Sequence, residues 1–315
     1  MSAHGNTSIT TIDTGYIRSN LCAAYLVHGD GGRAALVDCG TAATAPRVLD
    51  AIDAAGVARE AVDWLMVTHV HLDHAGGAGP LMRALPNARL VVHPRGAQHM
   101  IDPAKLIIGA KMVYGDAMFA RDHAGMLPVD EARVVIADDD HVVDLAGRPL
   151  LCADTPGHAL HHYSVWDAAT RGWIAGDAFG LSYREFDNDN GAFALPTTSP
   201  VQFDPEQMKA SIDRLLEQNP AAIRIAHYGV VTECARIAED LVGQVDEMVA
   251  IALAAGGRED RHERIVDDLI ALCVDRAARH GVAEPERMVS EVLGGDIEIN
   301  AQGLCAWLDR LAKAR

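Results

Sequence analysis

The alternation of apolar and polar positions predicts mixed α and β structure over the first two thirds of the chain. Alternating or β-branched runs at residues 8–12, 23–27 and 34–37 are typical of strands, and the continuous apolar run at 62–67 is typical of a strand buried on both faces. Residues 41–55 carry an alanine-rich apolar face, which predicts a helix. Further strands are expected at residues 90–92, 133–136, 149–153, 163–166, 172–175 and 223–226.

The pattern becomes helical toward the end of the chain. Asp204 followed by a proline is typical of a helix start and predicts a helix over residues 204–216. Beyond residue 231, apolar residues recur at helical spacing and strand signals nearly vanish. Breaks between these helices are expected near Gly256-Gly257, Gly281 to Pro285 and Gly294-Gly295. We therefore divide the chain into a main domain of residues 1–230 and a C-terminal helical region of residues 231–315.

Residues 94–128 form an unusual stretch inside the main domain. Methionine and aliphatic side chains are more frequent there than a surface loop requires. A helical insertion that caps a cleft explains this composition, and an ordinary core-packing pair of helices explains it equally well.

Composition narrows the class of protein and its partners. With 49% apolar and 23% charged residues, the chain is expected to fold around a sizeable core. The 27 basic side chains are outnumbered by 44 acidic ones, and a net charge of −17 disfavours nucleic acid as a partner. No apolar run reaches the roughly 18 residues of a membrane span. We therefore expect a small-molecule substrate rather than a nucleic acid or a membrane.

The cysteines and the first residues bear on location. Six cysteines are scattered without a CxxC motif, and residues 1–7 lack the basic start and apolar block of an export signal. Both features predict a cytoplasmic protein with reduced, buried thiols.

The strongest chemical signal is the run His69-Val70-His71-Leu72-Asp73-His74. Four ligand-type side chains occur within six residues, directly after the apolar run at 62–67. Side chains that follow strand ends converge on ligands while the sheet holds them rigidly. Imidazole and carboxylate groups suit zinc, iron or manganese. The run therefore predicts a metal site.

Three distant positions repeat the same arrangement. At each position, an apolar strand is followed by a small residue or a turn and then by one ligand-type side chain. These three side chains are His158, Asp177 and His227. Each signal is weak alone, and together they predict the remaining ligands of the metal site.

These motifs resemble those of the metallo-β-lactamase superfamily. Asp38 in Leu-Val-Asp-Cys-Gly, the HxHxDH run beginning at His69, and then His158, Asp177 and His227 follow the family order. The resemblance covers about residues 8–230 and implies a four-layer αββα sandwich, here with a C-terminal helical extension.

The resemblance also implies two metal ions. It gives the first metal three imidazole ligands, which are His69, His71 and His158. It gives the second metal a carboxylate and two imidazoles, which are Asp73, His74 and His227. Asp177 would bridge the two ions, and Asp38 would orient the ligand loop through hydrogen bonds. Zinc is the first expectation for both ions, with iron or manganese as alternatives.

The implied chemistry is hydrolysis. Two cations about 3.5–4 Å apart acidify a shared water, so hydroxide forms near neutral pH and attacks an acyl or phosphoryl centre. The second metal or a protonated Asp73 would stabilise the leaving group. The chain has no G-x-S-x-G elbow that would supply a serine nucleophile. We expect a hydrolase of a small ester, lactone, thioester or phosphoester.

The branch of the family stays open. Thr155-Pro156-Gly157-His158 with His162 resembles the glyoxalase II and persulfide dioxygenase side, while residues 196–206 resemble lactonase-like members. An iron-dependent persulfide dioxygenase-like enzyme and a non-catalytic metal-binding module are the alternatives. The complete second ligand set favours the hydrolase.

Several other side chains are candidates for lesser roles. Tyr183 and Tyr228 are candidates to contact the substrate, and His162 could support a ligand. Cys39, beside Asp38, is expected to be a buried structural thiol rather than a ligand. The C-terminal helices could pack on the core, wall the substrate pocket or form a homodimer contact.

Overall fold

Two six-stranded sheets carry the ligand motifs in the computed structural model, which describes residues 8–314. Contacts divide the chain into two compact units. Unit 1 runs to Asp154 and resumes over His161–Gly176 and Pro220–Val230. Unit 2 consists of Thr155–Leu160, Asp177–Asn219 and the residues from Val231 onward. Residues 1–7, on which the expectation of no export signal rests, lie outside the described residues.

The first sheet is mixed, with its strands in chain order. Its strands are Ile9–Asp13 (β1), Ala23–His28 (β2), Ala34–Val37 (β3), Val62–Met66 (β4), Arg89–Val92 (β5) and Val134–Ile136 (β6). Strands β1 to β3 pair antiparallel, and β3 to β6 pair parallel. Because β3 and β4 are parallel neighbours, their carboxyl ends meet at one edge of the sheet. Asp38 follows β3 at this edge, and the HxHxDH run follows β4.

The second sheet runs in the order β12-β11-β10-β9-β8-β7. Its strands are His141–Leu145 (β7), Arg148–Asp154 (β8), Tyr163–Asp167 (β9), Gly172–Ile174 (β10), Ala222–Ile225 (β11) and Gly229–Val231 (β12). Strands β7 to β10 pair antiparallel, and β10 pairs parallel with β11. The sequence analysis identified ten of these twelve strands and missed β7 and β12, because neither carries a long run of β-branched residues.

An apolar core joins the two sheets. Alternate side chains of the first sheet, such as Tyr25, Val37 and Met66, pack in one cluster with Tyr163 and Ile174 of the second. Alternation buries every second residue of a strand on this face, as the sheet pleat requires. These two sheets are the central layers that the sequence predicts.

Helices cover the other face of the first sheet. They are Ala45–Ala54 (α1), Leu72–Ala75 (α2), Ala78–Ala84 (α3), Pro94–Ile101 (α4) and Ala104–Met118 (α5). Val48 and Ile52 lie one turn apart on α1 and pack with Leu36 and Leu65 of the sheet. The stretch 94–128 is thus helical for most of its length, and a π-helical turn at Phe119–His123 follows α5. On α5 the side chains of Ile108 and Met112 are exposed rather than packed in the core.

Unit 2 contains the remaining helices of the described chain. They are Pro205–Glu217 (α6), Cys234–Ala255 (α7), Arg261–His280 (α8), Pro285–Met288 (α9) and Gly294–Ala314 (α10). Asp204 caps α6 as expected, because its side chain accepts a hydrogen bond from the Gln207 amide at 3.0 Å. No break occurs at the expected Gly294-Gly295, because the π-helical turn at Val289–Leu293 continues directly into α10 through Gly294, whose dihedral angles are helical. Among residues 8–314, no helix is long and apolar enough to cross a bilayer.

A buried amide joins α10 to the loop at residues 196–198. Asn300 Oδ1 accepts from the Thr198 amide at 2.8 Å, and Asn300 Nδ2 donates to the Pro196 carbonyl at 3.0 Å. Asn300 is 2% exposed, so neither backbone group has ready access to solvent. The C-terminal helix therefore fixes the path of this loop.

We expect Asn300→Ala to lower the free energy of unfolding by roughly 2–3 kcal/mol, because two buried backbone groups lose their partner. Urea denaturation followed by circular dichroism measures the change. Gln302→Ala, on the same helix, is the control and should change stability by less than about 0.5 kcal/mol. An Asn300→Ala midpoint equal to that of the unchanged chain would contradict the role assigned to this amide.

Candidate metal centre

The HxHxDH run occupies the connection between β4 and α2. Strand β4 ends at Met66, and His71 is the residue before the first turn of α2. Val67 still bonds to β5 through its amide, which donates to the Val91 carbonyl at 3.1 Å. The ligand loop therefore starts from the middle of a parallel sheet, where its backbone cannot shift easily.

Asp38 ties this loop to the neighbouring strand. It follows β3 directly and is 1% exposed. Its Oδ1 accepts from the Thr68 amide at 2.8 Å, and the Thr68 hydroxyl donates to the same carboxylate at 3.0 Å. Its Oδ2 lies 3.0 Å from His74 Nδ1. These contacts match the orienting role that the family resemblance implies for Asp38.

His69 and His71 present ring nitrogens to each other. His69 Nε2 lies 2.9 Å from His71 Nδ1, and the rings meet edge to face. His69 Nδ1 lies 3.1 Å from the Thr68 hydroxyl oxygen, whose own proton goes to Asp38. Nδ1 of His69 therefore carries the proton, and Nε2 keeps its lone pair. Two nitrogens in this position either share a proton or face a common cation.

Asp73 faces two further imidazoles. Its Oδ2 lies 3.6 Å from His74 Nε2 and 3.4 Å from His227 Nε2. His227 Nδ1 lies 2.8 Å from the Leu21 carbonyl, which can only accept, so Nδ1 carries the proton and Nε2 is available as a ligand. The same holds for His74, because its Nδ1 faces the Asp38 carboxylate.

The charge state of Asp73 follows from these neighbours. Burial raises the pKa of this carboxyl, but without a metal the positive charge of protonated His74 and His227 outweighs burial and holds the pKa well below its usual value. Asp73 is thus a carboxylate at neutral pH, which is the form that binds a metal. A protonated Asp73 is not the resting state.

Unit 2 presents the two remaining ligand-type residues together. His158 Nε2 lies 3.4 Å from Asp177 Oδ2. His158 Nδ1 lies 3.2 Å from the Thr197 carbonyl and 2.8 Å from the Thr197 hydroxyl, so Nδ1 carries the proton. Thr197 belongs to the loop that Asn300 fixes. The C-terminal helix therefore contributes to the orientation of His158.

The backbone conformation at residue 157 explains why a glycine precedes His158. Its φ is +128°, a conformation that side chains rarely adopt, and a Cβ atom there would lie 2.3 Å from the Met208 backbone. Its carbonyl accepts from the Asp204 amide at 2.8 Å. The glycine lets the ligand loop pack directly on α6.

The two tyrosine candidates have different surroundings. Tyr183 is 2% exposed, and its hydroxyl donates to the Asp296 carboxylate on α10 at 3.2 Å. Tyr228 is half-buried and packs against the core between the sheets. Contact with the substrate stays a prediction for both residues.

Cys39 and His162 are buried near the ligand loop. The Cys39 thiol donates to the His74 carbonyl at 3.0 Å, and burial raises the pKa of this thiol well above its usual value. A thiol in this state is a structural group, as expected. The His162 ring lies 4.9 Å from that of His69, centre to centre, which suits a supporting role.

Sequence reasoning missed two groups in unit 1. Cys22 lies beside Asp73 and His227, with one ligand atom of each within 4.8 Å of the others. The Tyr16 hydroxyl lies 3.2 Å from Nε2 of His123, which belongs to the π-helical turn after α5. Neither residue has a fixed spacing to a ligand motif. Their positions beside these groups depend on the three-dimensional fold and not on a local sequence pattern.

The donors of each unit fit divalent metal ions. Unit 1 has imidazole nitrogens and the Asp73 carboxylate, and unit 2 has, within itself, one imidazole and the Asp177 carboxylate. Nitrogen and carboxylate oxygen donors of this kind suit zinc, iron or manganese. The Nδ1 partners of His74, His158 and His227, a carboxylate and two backbone carbonyls, are those that metal-binding histidines use.

Comparison with known proteins agrees with this geometry. The family model described as "Metallo-beta-lactamase superfamily" matches residues 18–227, two thirds of the chain. A metallo-β-lactamase fold-containing protein of Sulfurisphaera tokodaii is 28% identical over 202 residues, covering 62% of this chain and 72% of that protein. A hydroxyacylglutathione hydrolase of Acidiphilium cryptum is 27% identical over 262 residues, covering 81% and 86%.

Solved structures share the fold. A metallo-β-lactamase family protein of Thermus thermophilus has a TM-score of 0.66 at 18% identity, covering 96% of this chain and 94% of that one. An archaeal superfamily protein of Sulfolobus tokodaii has a TM-score of 0.64 at 20% identity, covering 95% and 98%. The predicted fold class, an αββα sandwich with C-terminal helices, is confirmed. The chain therefore belongs to the metallo-β-lactamase superfamily.

Proposed function

We propose that this protein is a metal-dependent hydrolase that uses two divalent ions to cleave a small ester, lactone, thioester or phosphoester. One observation carries the proposal. In unit 1, the ring nitrogens of His69 and His71 face each other, and the Asp73 carboxylate faces those of His74 and His227. A structural zinc site uses a single closed set of four ligands. Two adjacent sets of donors are better suited to two ions.

His158 and Asp177 complete the centre in this proposal. His158 supplies the third imidazole of the first ion, and Asp177 supplies the bridging carboxylate. The support within unit 2 is the 3.4 Å separation of His158 Nε2 and Asp177 Oδ2, with the proton of His158 held on its other nitrogen by Thr197. Zinc is the ion we propose first, with iron and manganese as alternatives.

The residues act mainly by holding donors in place. Bound divalent ions supply Lewis acidity, which yields a hydroxide nucleophile near neutral pH and polarises the substrate oxygen. Asp38, the Leu21 carbonyl and Thr197 keep the protons of three imidazoles on Nδ1, so that each Nε2 stays available. Asp73 starts as a carboxylate and is the group we propose to carry a proton to the departing group.

A thioester is the substrate class to test first. The match to the hydroxyacylglutathione hydrolase of Acidiphilium cryptum covers 81% of this chain. Its name implies hydrolysis of a small acyl thioester. We extend this class to the present chain, with lactones and phosphoesters as the next substrates. A small substrate also agrees with the net charge of −17, which disfavours a polyanion.

The two alternative functions differ in what they require. A persulfide dioxygenase-like enzyme works with one iron and an incomplete second site, whereas here Asp73, His74 and His227 are present and grouped. A non-catalytic module would need closed coordination. A cytoplasmic location and a homodimer stay predictions.

Metal removal should abolish the activity. We expect the purified protein to contain about two equivalents of metal per chain and to hydrolyse a thioester or lactone. Dialysis against a chelator should stop turnover, because the residues alone supply no nucleophile, and added zinc, iron or manganese should restore it. Elemental analysis and a hydrolysis assay measure both quantities. Full activity in a protein free of metal would refute the proposal.

Replacement of ligands should have the largest effect on turnover. His71→Ala combined with Asp177→Ala removes one donor of the first ion and the proposed bridge. We expect kcat/KM to fall by more than the roughly 10–100-fold that the loss of an outer partner costs. His99→Ala on α4 is the control and should keep near-normal activity, since His99 lies outside the donor sets. Near-normal hydrolysis by the double variant would end the hydrolase hypothesis.

Replacement of Asp38 should weaken metal binding without removing a ligand. Asp38→Asn leaves the shape of the side chain but removes the charge that faces His74 Nδ1 and the Thr68 hydroxyl. We expect metal affinity to fall about 10–100-fold. Competition with a chromophoric chelator measures the affinity. Asp50→Asn, on the exposed face of α1, is the matched control, and equal affinities of the two variants would contradict the role of Asp38.

A further inference from the structure

Cys22 lies next to two proposed ligands of the second ion. It directly precedes β2, and its side chain is fully buried. Its Sγ, an oxygen of Asp73 and a ring nitrogen of His227 all lie within 4.8 Å of one another. The thiol also lies 3.4 Å from the Asp73 backbone carbonyl. Sulfur, oxygen and nitrogen donors are thus grouped within unit 1.

The backbone on both sides of Cys22 is anchored to the segment that carries His227. The Leu21 carbonyl accepts from His227 Nδ1 at 2.8 Å, and the Ala23 amide donates to the Ala226 carbonyl at 2.8 Å. The Cys22 carbonyl accepts from the Thr14 hydroxyl at 2.7 Å. The position of the thiol relative to His227 is therefore fixed by the fold.

The spacing is compatible with a shared ion. Zinc–sulfur bonds are about 2.3 Å long and zinc–nitrogen bonds about 2.0–2.1 Å, so two such donors on a tetrahedral zinc lie about 3.6 Å apart. Separations within 4.8 Å reach this value when side chains move by at most about 1.2 Å. A rotation about the Cα–Cβ bond of Cys22 supplies such a movement.

The other cysteines have different surroundings. Cys39 donates its thiol to the His74 carbonyl, and Cys152 packs in the core between the sheets. Of the cysteines in residues 8–314, Cys22 is the one grouped with ligand-type side chains. It also differs in position from Asp177, the proposed bridging carboxylate.

We propose that Cys22 is a thiolate ligand of the second ion, together with Asp73 and His227. The inference rests on the proposed two-metal centre. On binding, the thiol gives up its hydrogen bond to the Asp73 carbonyl and releases its proton to solvent, and the sulfur lone pair forms the bond to the metal. A sulfur donor selects zinc or ferrous iron over manganese, calcium or magnesium, which prefer oxygen.

Cobalt substitution tests this inference directly. The full-length protein is loaded with two equivalents of Co²⁺, whose visible bands report binding and whose near-ultraviolet charge-transfer band reports a thiolate ligand. We expect the charge-transfer band in the unchanged protein and in Cys305→Ser, and its loss in Cys22→Ser. We also expect Cys22→Ser to bind the second zinc equivalent about 10-fold more weakly or worse.

Each outcome decides the inference. Visible cobalt bands without a charge-transfer band, or a band that survives in Cys22→Ser, would overturn the role of Cys22 and leave the hydrolase proposal standing. The absence of any cobalt or zinc binding would overturn both. X-ray absorption at the zinc edge needs no variant, and the inference requires a sulfur neighbour at about 2.3 Å in the zinc-loaded protein.

Discussion

The hydrogen bonds of the Asp38 carboxylate are the interaction on which the rest of the site depends. Asp38 and the ligand loop follow β3 and β4, which are parallel neighbours, so both arrive at the same sheet edge. There the carboxylate accepts from the Thr68 amide and hydroxyl and faces His74 Nδ1. A single buried charge thus sets the path of the loop and, through Thr68, the tautomer of His69.

Two further imidazoles are held in the same way as His74. A backbone carbonyl accepts the Nδ1 proton, as the Leu21 carbonyl does for His227 and the Thr197 carbonyl does for His158. Thr197 is held in turn by the neighbouring contact of Thr198 with Asn300 of α10. The C-terminal helix α10 therefore has a physical connection to a proposed ligand within unit 2.

Much of this could be predicted from the sequence, because metal ligands and buried strands leave local patterns. Local sequence patterns predict the HxHxDH run as a metal site, ten of the twelve strands and the Asp204 cap. Cys22 was not, since its relation to Asp73 and His227 depends on pairing between distant strands. Nor did the sequence indicate that the Tyr183 hydroxyl bonds to Asp296, more than a hundred residues away. The substrate left no such pattern, because pocket walls are built from many loops.

The proposed metal centre uses seven side chains from four separated stretches of sequence to bind two cations. Anomalous X-ray diffraction from crystals grown with zinc tests it most directly. We predict two anomalous peaks about 3.5–4 Å apart, contacted by the seven donors, which are His69, His71, Asp73, His74, His158, Asp177 and His227. Crystals with these side chains ordered but turned away from one another, and with no anomalous peak among them, would contradict the account.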